Sequence, residues 1–200
     1  AGIRKHACRP GCNVVWMCAP GIVHGEGIEP GHVQDTCGVF LRETSRATGE
    51  IVIDATAERF SAGHGNLAPM FEAADECARP IARYSETGGV AVASKQIGGW
   101  TSVFSGVLQL PASLLRTFAR DAGVHIYCES EDIVTAGNGL VGIHASSAGR
   151  KTVRLPSECD VVDALSGKEL GKGTEFQFEM ALGDTRVLRV IEREFSSGGM

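Results

Sequence analysis

The stretch Gly99–Cys128, GWTSVFSGVLQLPASLLRTFARDAGVHIYC, constrains the fold more than any other part of the chain. Trp100–Phe104 is rich in aromatic, Thr and Val residues, which suits a half-buried strand. Pro111 fits a first helical turn, where a missing N–H costs nothing. Leu114, Leu115, Phe118 and Ala119 then recur at helical spacing and predict one apolar face, with Gly123 as a left-handed stop. Val124, Ile126 and Cys128 alternate with His125 and Tyr127, the period of a strand covered on one face. The sequence before this unit reads as α/β and the sequence after it as all-β, which places a boundary near Gly123.

Upstream, Asn13–Cys18 (NVVWMC) is an unbroken apolar run of strand length, as expected of a central parallel strand buried on both faces. Ala19-Pro20-Gly21 ends it, and the glycine-rich loop Gly21–Gly31 follows. Such loops at strand ends are where α/β sheets usually place function. Pro30 predicts a short helix in which Val33 and Cys37 share a face, with Gly38 as its cap. Glu50–Asp54 reads as a short strand. In Asn66–Ala78, Leu67, Met70, Phe71 and Ala74 match a helical face, although an irregular segment fits nearly as well. Ile81–Ser85, Gly89–Lys95 and Gly99–Ser105 read as three strands too closely spaced for anything but antiparallel pairing.

Downstream of Gly123, short strands are expected at Val124–Cys128, Ile133–Thr135, Leu140–Ala145, Thr152–Leu155, Val161–Leu165, Phe176–Met180 and Arg186–Ile191. Gly, Asn and Ser punctuate them, the pattern of a small antiparallel sandwich. The tail from residue 193 is expected to fray.

A net charge of -5 supplies no basic field for phosphates, so nucleic acid is not an expected partner. No apolar run is long enough to span a membrane, and no membrane partner is expected. The seven cysteines are odd in number, scattered and without a CxxC pair, so reduced, buried thiols are expected rather than a disulfide framework. The chain opens on AGIRKHACRPG, like the tail of a helix already under way, and is expected to be a fragment. No compartment is assigned.

VVWMCAPG, the Gly-terminated short helix, GGWTSVFSGVLQLPASLLRTFARDAGVHIY, GLVGIHASSAGRKTVRLP and VVDALSGKEL occur in an order that resembles the C-terminal region of β-galactosidase-like glycoside hydrolases, family forty-two above all. In that family a catalytic barrel is followed by a flavodoxin-like, class I amidotransferase-like trimerisation domain and then a small β-sandwich. The resemblance implies that residues 1–123 are the back part of the flavodoxin-like three-layer domain, that 124–192 are the sandwich and that 193–200 are a flexible tail. It implies a non-catalytic, supporting role, with the catalytic carboxylates on a barrel that is not part of this sequence. The implied partners are that barrel, further copies of the protein, and carbohydrate. Two other readings stay open: a carbohydrate-binding or protein-interaction module, and an amidotransferase-like hydrolase using Cys18.

Each candidate site residue has an ordinary reading beside its functional one. Cys18 ends an apolar strand like the nucleophile of a strand–turn elbow, yet Trp16, Met17 and Pro20 surround it where an elbow wants small residues. Trp16 and Trp100 could stack on a sugar face, or pack in the core. His24 lies in the glycine-rich loop and His32 directly follows it, and they complete the candidate binding set of Trp16, His24, His32 and Trp100. Zinc could draw on His6, Cys8, Cys12, His24, His32 and Cys37, but Pro10 and Gly11 break the closest pairing, and neither metal nor cofactor is expected. The carboxylates at Glu72, Asp75 and Glu76, and at Glu129, Glu131 and Asp132, are expected in wet turns.

Overall fold

A computed structural model describes residues 2–25, 27–44, 50–61 and 69–191. The elements are α1 (Gly2–Ala7), β1 (Asn13–Met17), β2 (Val23–His24), β3 (Gly27–Ile28), α2 (Gly31–Cys37), β4 (Leu41–Thr44), β5 (Glu50–Ile53), β6 (Arg59–Ser61), β7 (Met70–Ala73), β8 (Arg79–Tyr84), β9 (Val90–Ile97), β10 (Trp100–Ser105) and α3 (Ala112–Asp121). They continue with β11 (Ile133–Gly137), β12 (Leu140–His144), β13 (Gly149–Asp163), β14 (Glu169–Met180) and β15 (Thr185–Ile191). The chain divides into two compact units, Ala1–Gly123 and Val124–Met200. Strands dominate both.

The first unit holds a mixed eight-stranded sheet ordered β1-β10-β9-β8-β5-β6, with β7 joining β4 to β9. Among the described residues only β1 and β10 run parallel, and the tightly spaced β8, β9 and β10 pair antiparallel as their short turns require. On one face of the parallel pair, Leu114 and Phe118 of α3 pack with Val103, Ile51, Ile53 and Tyr84. On the other, Val33 and Cys37 of α2 pack with Trp16, Trp100 and Phe104. The strands alternate accordingly: Val15 joins the α3 side, while Val14 and Trp16 join the α2 side.

Both helices end on a side chain from the parallel pair. Asn13 Nδ2 donates to the Phe118 carbonyl of α3 at 2.9 Å, and Ser102 Oγ donates to the Cys37 carbonyl of α2 at 2.5 Å. Carbonyls of a last helical turn lack an intrahelical partner, and Ser102 satisfies the Cys37 carbonyl in that way, while the Phe118 carbonyl takes the Asn13 bond in addition to one from Ala122 N at 3.2 Å. Gly106 follows β10 under a second constraint: a Cβ there would collide with the Phe71 carbonyl and with the Tyr84 hydroxyl, which donates to that carbonyl at 2.9 Å.

The second unit is one five-stranded antiparallel sheet, ordered β11-β12-β15-β13-β14, around a core of Val141, Ile143, Val153, Val161, Phe176 and Leu188. The two short strands expected at 152–155 and 161–165 are a single long β13, whose register against β14 shifts between Arg154 and Cys159. The shift bends the strand, and Val153, Leu155, Cys159 and Val161 all reach one core. A single bent sheet thus stands where two packed sheets are expected.

Three further expectations are corrected. Asn66–Ala78 holds no helix over residues 69–78: Met70–Ala73 is a buried strand paired with β4, because β-pairing across the sheet outweighs local helical spacing. Residues 66–68 of that segment lie outside the described residues. Val124–Cys128 is not a strand, for it touches β13 through the Tyr127 carbonyl, which accepts from Arg154 N at 2.8 Å, and through a His125 bond to the Arg154 carbonyl. Leu115, expected on the buried face of α3, is 44% exposed. The fraying expected of 193–200 also falls outside the described residues.

The carboxylates expected in wet turns are in part buried. Glu72 lies inside β7, paired with Arg42, and Asp75 pairs with Lys95 at 2.6 Å while capping the N–H groups of Phe40 and Cys77. In the second unit the side chains of Asp132 and Lys151 are 0% and 4% exposed, with Nζ to Oδ1 at 2.9 Å. Burial alone would raise the Asp132 carboxyl, but hydrogen bonds from Ser130, Lys151 and Ser146 outweigh it and draw it down to about 2.

Two outcomes follow from this packing. Ser102→Ala leaves the Cys37 carbonyl buried and unpaired, and should lower the stability of the first unit by about 1–3 kcal/mol in urea unfolding followed by the fluorescence of Trp16 and Trp100. Asp132 titrates below its ordinary 3.8, so the folded state holds fewer protons than the unfolded one. Its contribution is full above that value, worth about 2 kcal/mol by linkage, and is lost as pH falls toward 2. Hydrogen exchange in β12 and β13 should show Asp132→Asn destabilised against wild type at pH 6, with the gap narrowing below pH 4.

Candidate functional site

The C-terminal ends of β1 and β10 are held together by backbone and side-chain hydrogen bonds. Met17 ends β1, and Cys18 turns into the left-handed region at φ 63 while its N–H donates to the Ser105 carbonyl at 2.7 Å. Ser105 Oγ donates to the Val107 carbonyl at 2.9 Å and holds the chain after β10 in place. Gly21, at φ 78, closes the turn, because a Cβ there would collide with Thr36 Oγ1 on α2. Beyond it the β2–β3 hairpin projects with Val23 opposite Ile28, both exposed.

The left-handed turn gives Cys18 the backbone of an elbow without its activation. Burial pushes the thiol above its ordinary value, and the hydrogen bond from the Ala19 backbone offsets this only in part. A thiol shifted in that direction stays protonated at neutral pH, the reverse of what a nucleophile needs. Nearby, burial lifts the Tyr84 hydroxyl well above the usual phenol range, and negative charge at Cys18 or Glu72 would lift it further.

Trp16 and Trp100, 7% and 6% exposed, pack in one cluster with Val33, Cys37 and Phe104. The indole Nε1 of Trp16 has no hydrogen-bond partner among the described residues. His32 lies on α2 with Nε2 3.6 Å from Glu29 Oε2, and the side chain of His24 lies outside the described residues, although its backbone pairs with Gly27. Val33 and Cys37 of α2 pack in the cluster that holds both tryptophans, and His32 precedes Val33 on the same helix. Among the described residues no group of three or more His, Cys, Asp or Glu is placed to hold a metal ion.

Sequence patterns gave no sign of the grooves along α3. One of about 320 Å³ is lined by Asn13, Arg79, Gln96, Thr101 and Asp121 over Val103 and Phe118. Another of about 300 Å³, lined by Asp54, Glu58, Ser113 and Thr117, shares Arg79, Ile81 and Phe118 with it. Trp16, His32 and Trp100 line neither. The groove residues come from strands and a helix far apart in the chain, and no local spacing announces them.

No protein-family model matches the sequence, and no curated protein matches it. Solved structures do. The crystal structure of the β-galactosidase from Bacillus circulans sp. alkalophilus superposes with a TM-score of 0.56 at 18% identity, over 92% of this chain and 30% of that one. The polyextremophilic β-galactosidase of the haloarchaeon Halorubrum lacusprofundi gives 0.54 at 15% identity, over 88% and 27%. A catalytic mutant of Gan42B, a GH42 β-galactosidase from G. stearothermophilus, gives 0.51 at 15% identity, over 90% and 28%. The chain thus shares the fold of one part of these enzymes and spans about 30% of the length of the first. At such identities the likeness is one of fold.

Cys77 is exposed whereas Cys18 is half-buried and shifted upward. Iodoacetamide at pH 8 followed by peptide mass mapping should modify Cys18 about tenfold more slowly than Cys77, and the Cys18 rate should keep climbing above pH 9.

Proposed function

We propose that this chain is the non-catalytic C-terminal portion of a β-galactosidase-like glycoside hydrolase. In this reading residues 1–123 are the back part of a flavodoxin-like, trimerisation-type domain, 124–192 are its small β cap, and the chain supports assembly of the enzyme and of its catalytic barrel. The observation that carries the reading is the fold match over 92% of this chain to less than a third of a β-galactosidase. The parallel β1–β10 pair, with α2 and α3 on its opposite faces, is the part of the molecule that supports flavodoxin-like layering. Glycoside hydrolysis needs two carboxyl groups set apart in environment and free to exchange protons. The buried carboxylates Glu72, Asp75 and Asp132 are each held by an Arg or Lys, which suits structural ion pairs and not acid–base work.

The test has two arms. The 200-residue chain should leave a nitrophenyl galactoside unhydrolysed and give no heat with galactosides in calorimetry. Deleting the matching segment from the Bacillus circulans sp. alkalophilus enzyme should lower its mass in light scattering and weaken or abolish its activity. Hydrolysis by the isolated chain, or a deletion that changes neither mass nor activity, would refute the reading, whereas measurable heat without hydrolysis would favour the carbohydrate-binding module.

A further inference from the structure

Of Asn13, Asn66 and Asn138, only Asn138 is followed by glycine. Asn138 and Gly139 are the two residues between the paired Gly137 and Leu140, and they form the tight turn that joins β11 to β12. Their φ values of 50 and 73 are both left-handed, as the mirror-image turn of a two-residue hairpin requires. Glycine adopts that region freely, and Asn tolerates it better than most side chains do.

The turn brings two reactive groups together. Asn138 is exposed, and its side-chain amide makes no hydrogen bond among the described residues. The Gly139 N–H likewise donates to nothing among them, and no side chain on Gly139 shields it. The Gly139 carbonyl, by contrast, accepts from Val190 N on β15 at 2.7 Å, and a Cβ on Gly139 would lie 3.3 Å from the Val190 carbonyl. Electrophile and nucleophile are thus both uncovered, while the turn that carries them is clamped to β15.

We infer that Asn138 is a site of spontaneous modification, gated by opening of the β11–β12 turn. The Gly139 backbone nitrogen attacks the side-chain carbonyl carbon of Asn138, losing its proton as the new C–N bond forms, and the amide nitrogen leaves as ammonia. The product is a five-membered succinimide. Water, the one co-reactant, then adds to either ring carbonyl and breaks the adjoining C–N bond, leaving aspartate or isoaspartate. Ring closure swings the Gly139 nitrogen onto the Asn138 side chain, a rotation that the bond to Val190 resists. The reaction therefore runs through the open turn, and its rate follows the open population.

The two products differ in consequence. Aspartate keeps the turn, since Asp-Gly suits it as Asn-Gly does, and adds one negative charge. Isoaspartate puts an extra carbon into the main chain and moves Gly137 and Leu140 out of register. β11 ends its sheet and pairs with β12, whereas β12 also pairs with β15, so β11 takes the loss. None of this depends on the sugar chemistry of a parent enzyme.

The intact chain, kept at pH 8 in water enriched in heavy oxygen, is followed by peptide mass mapping with fragmentation that separates the two isomers. Asn138 should convert to both aspartate and isoaspartate, each carrying one heavy oxygen, while Asn13 and Asn66 persist. Conversion should run about tenfold faster in urea that unfolds the chain, because the turn is then always open. Asn138→Gln, whose longer side chain needs a six-membered ring, should stop it. Hydrogen exchange should show β11 amides losing protection in the isoaspartate-bearing chain, while freshly made Asn138→Asp matches the wild type. Should Asn138→Gln misfold, the wild-type isotope pattern and the urea comparison still decide. An Asn138 that stays intact in the folded chain while the unfolded one reacts, aspartate formed without isoaspartate, equal rates in the folded and unfolded chain, or β11 amides indifferent to isoaspartate would each overturn the proposal.

Discussion

The parallel ladder between β1 and β10 is the contact on which the first unit depends. It joins residues nearly ninety positions apart and sets Trp16 beside Phe104 and Val15 beside Val103. Because side chains alternate along it, one pair of strands feeds two cores, one beneath α3 and one beneath α2. Asn13 and Ser102, one from each strand, then close the last turns of the two helices. Loss of the ladder would therefore take away the floor of both helices and the caps that hold them.

The polar interior follows a related logic. Glu72, Asp75 and Asp132 each meet a cation and, for the two aspartates, backbone N–H groups as well. A buried ion pair is a weak source of net stability, since desolvation consumes most of the Coulomb gain, but breaking one strands a charge at high cost. In the second unit the network from Ser130 through Asp132 to Lys151 and Ser147 ties the segment before β11 to the β12–β13 turn. Its role is to fix where that segment lies.

Elements governed by local rules were legible in the sequence. Pro30 and Gly38 bracket α2, with Gly38 at φ 73 and its N–H donating to the Gln34 carbonyl. Pro111 sits at the N-cap of α3, and the 114/118 spacing marks its buried face. The short turns around residues 86–88 and 98–99 dictated the antiparallel run of β8, β9 and β10. Illegible were the elements whose identity depends on a distant partner. β7 looks helical until β4 pairs with it, and β13 looks like two strands until β14 runs the length of both. For the candidate site, Cys18 was visible as a strand end but its left-handed turn and upward-shifted thiol were not, because both come from β10 and from burial.

By itself, then, the sequence determined the helices, the tight antiparallel turns and the change of rhythm near Gly123, since proline, glycine and side-chain period act within a few residues. Only the tertiary structure decided that the apolar run Asn13–Met17 would stand at the end of its sheet, that Glu72 and Asp132 would be buried against cations, and that one bent sheet would serve where two were expected. Those outcomes turn on which surfaces meet across long separations in the chain. Hydrogen-bond pairing and desolvation are settled there, and neither leaves a local mark in the order of residues.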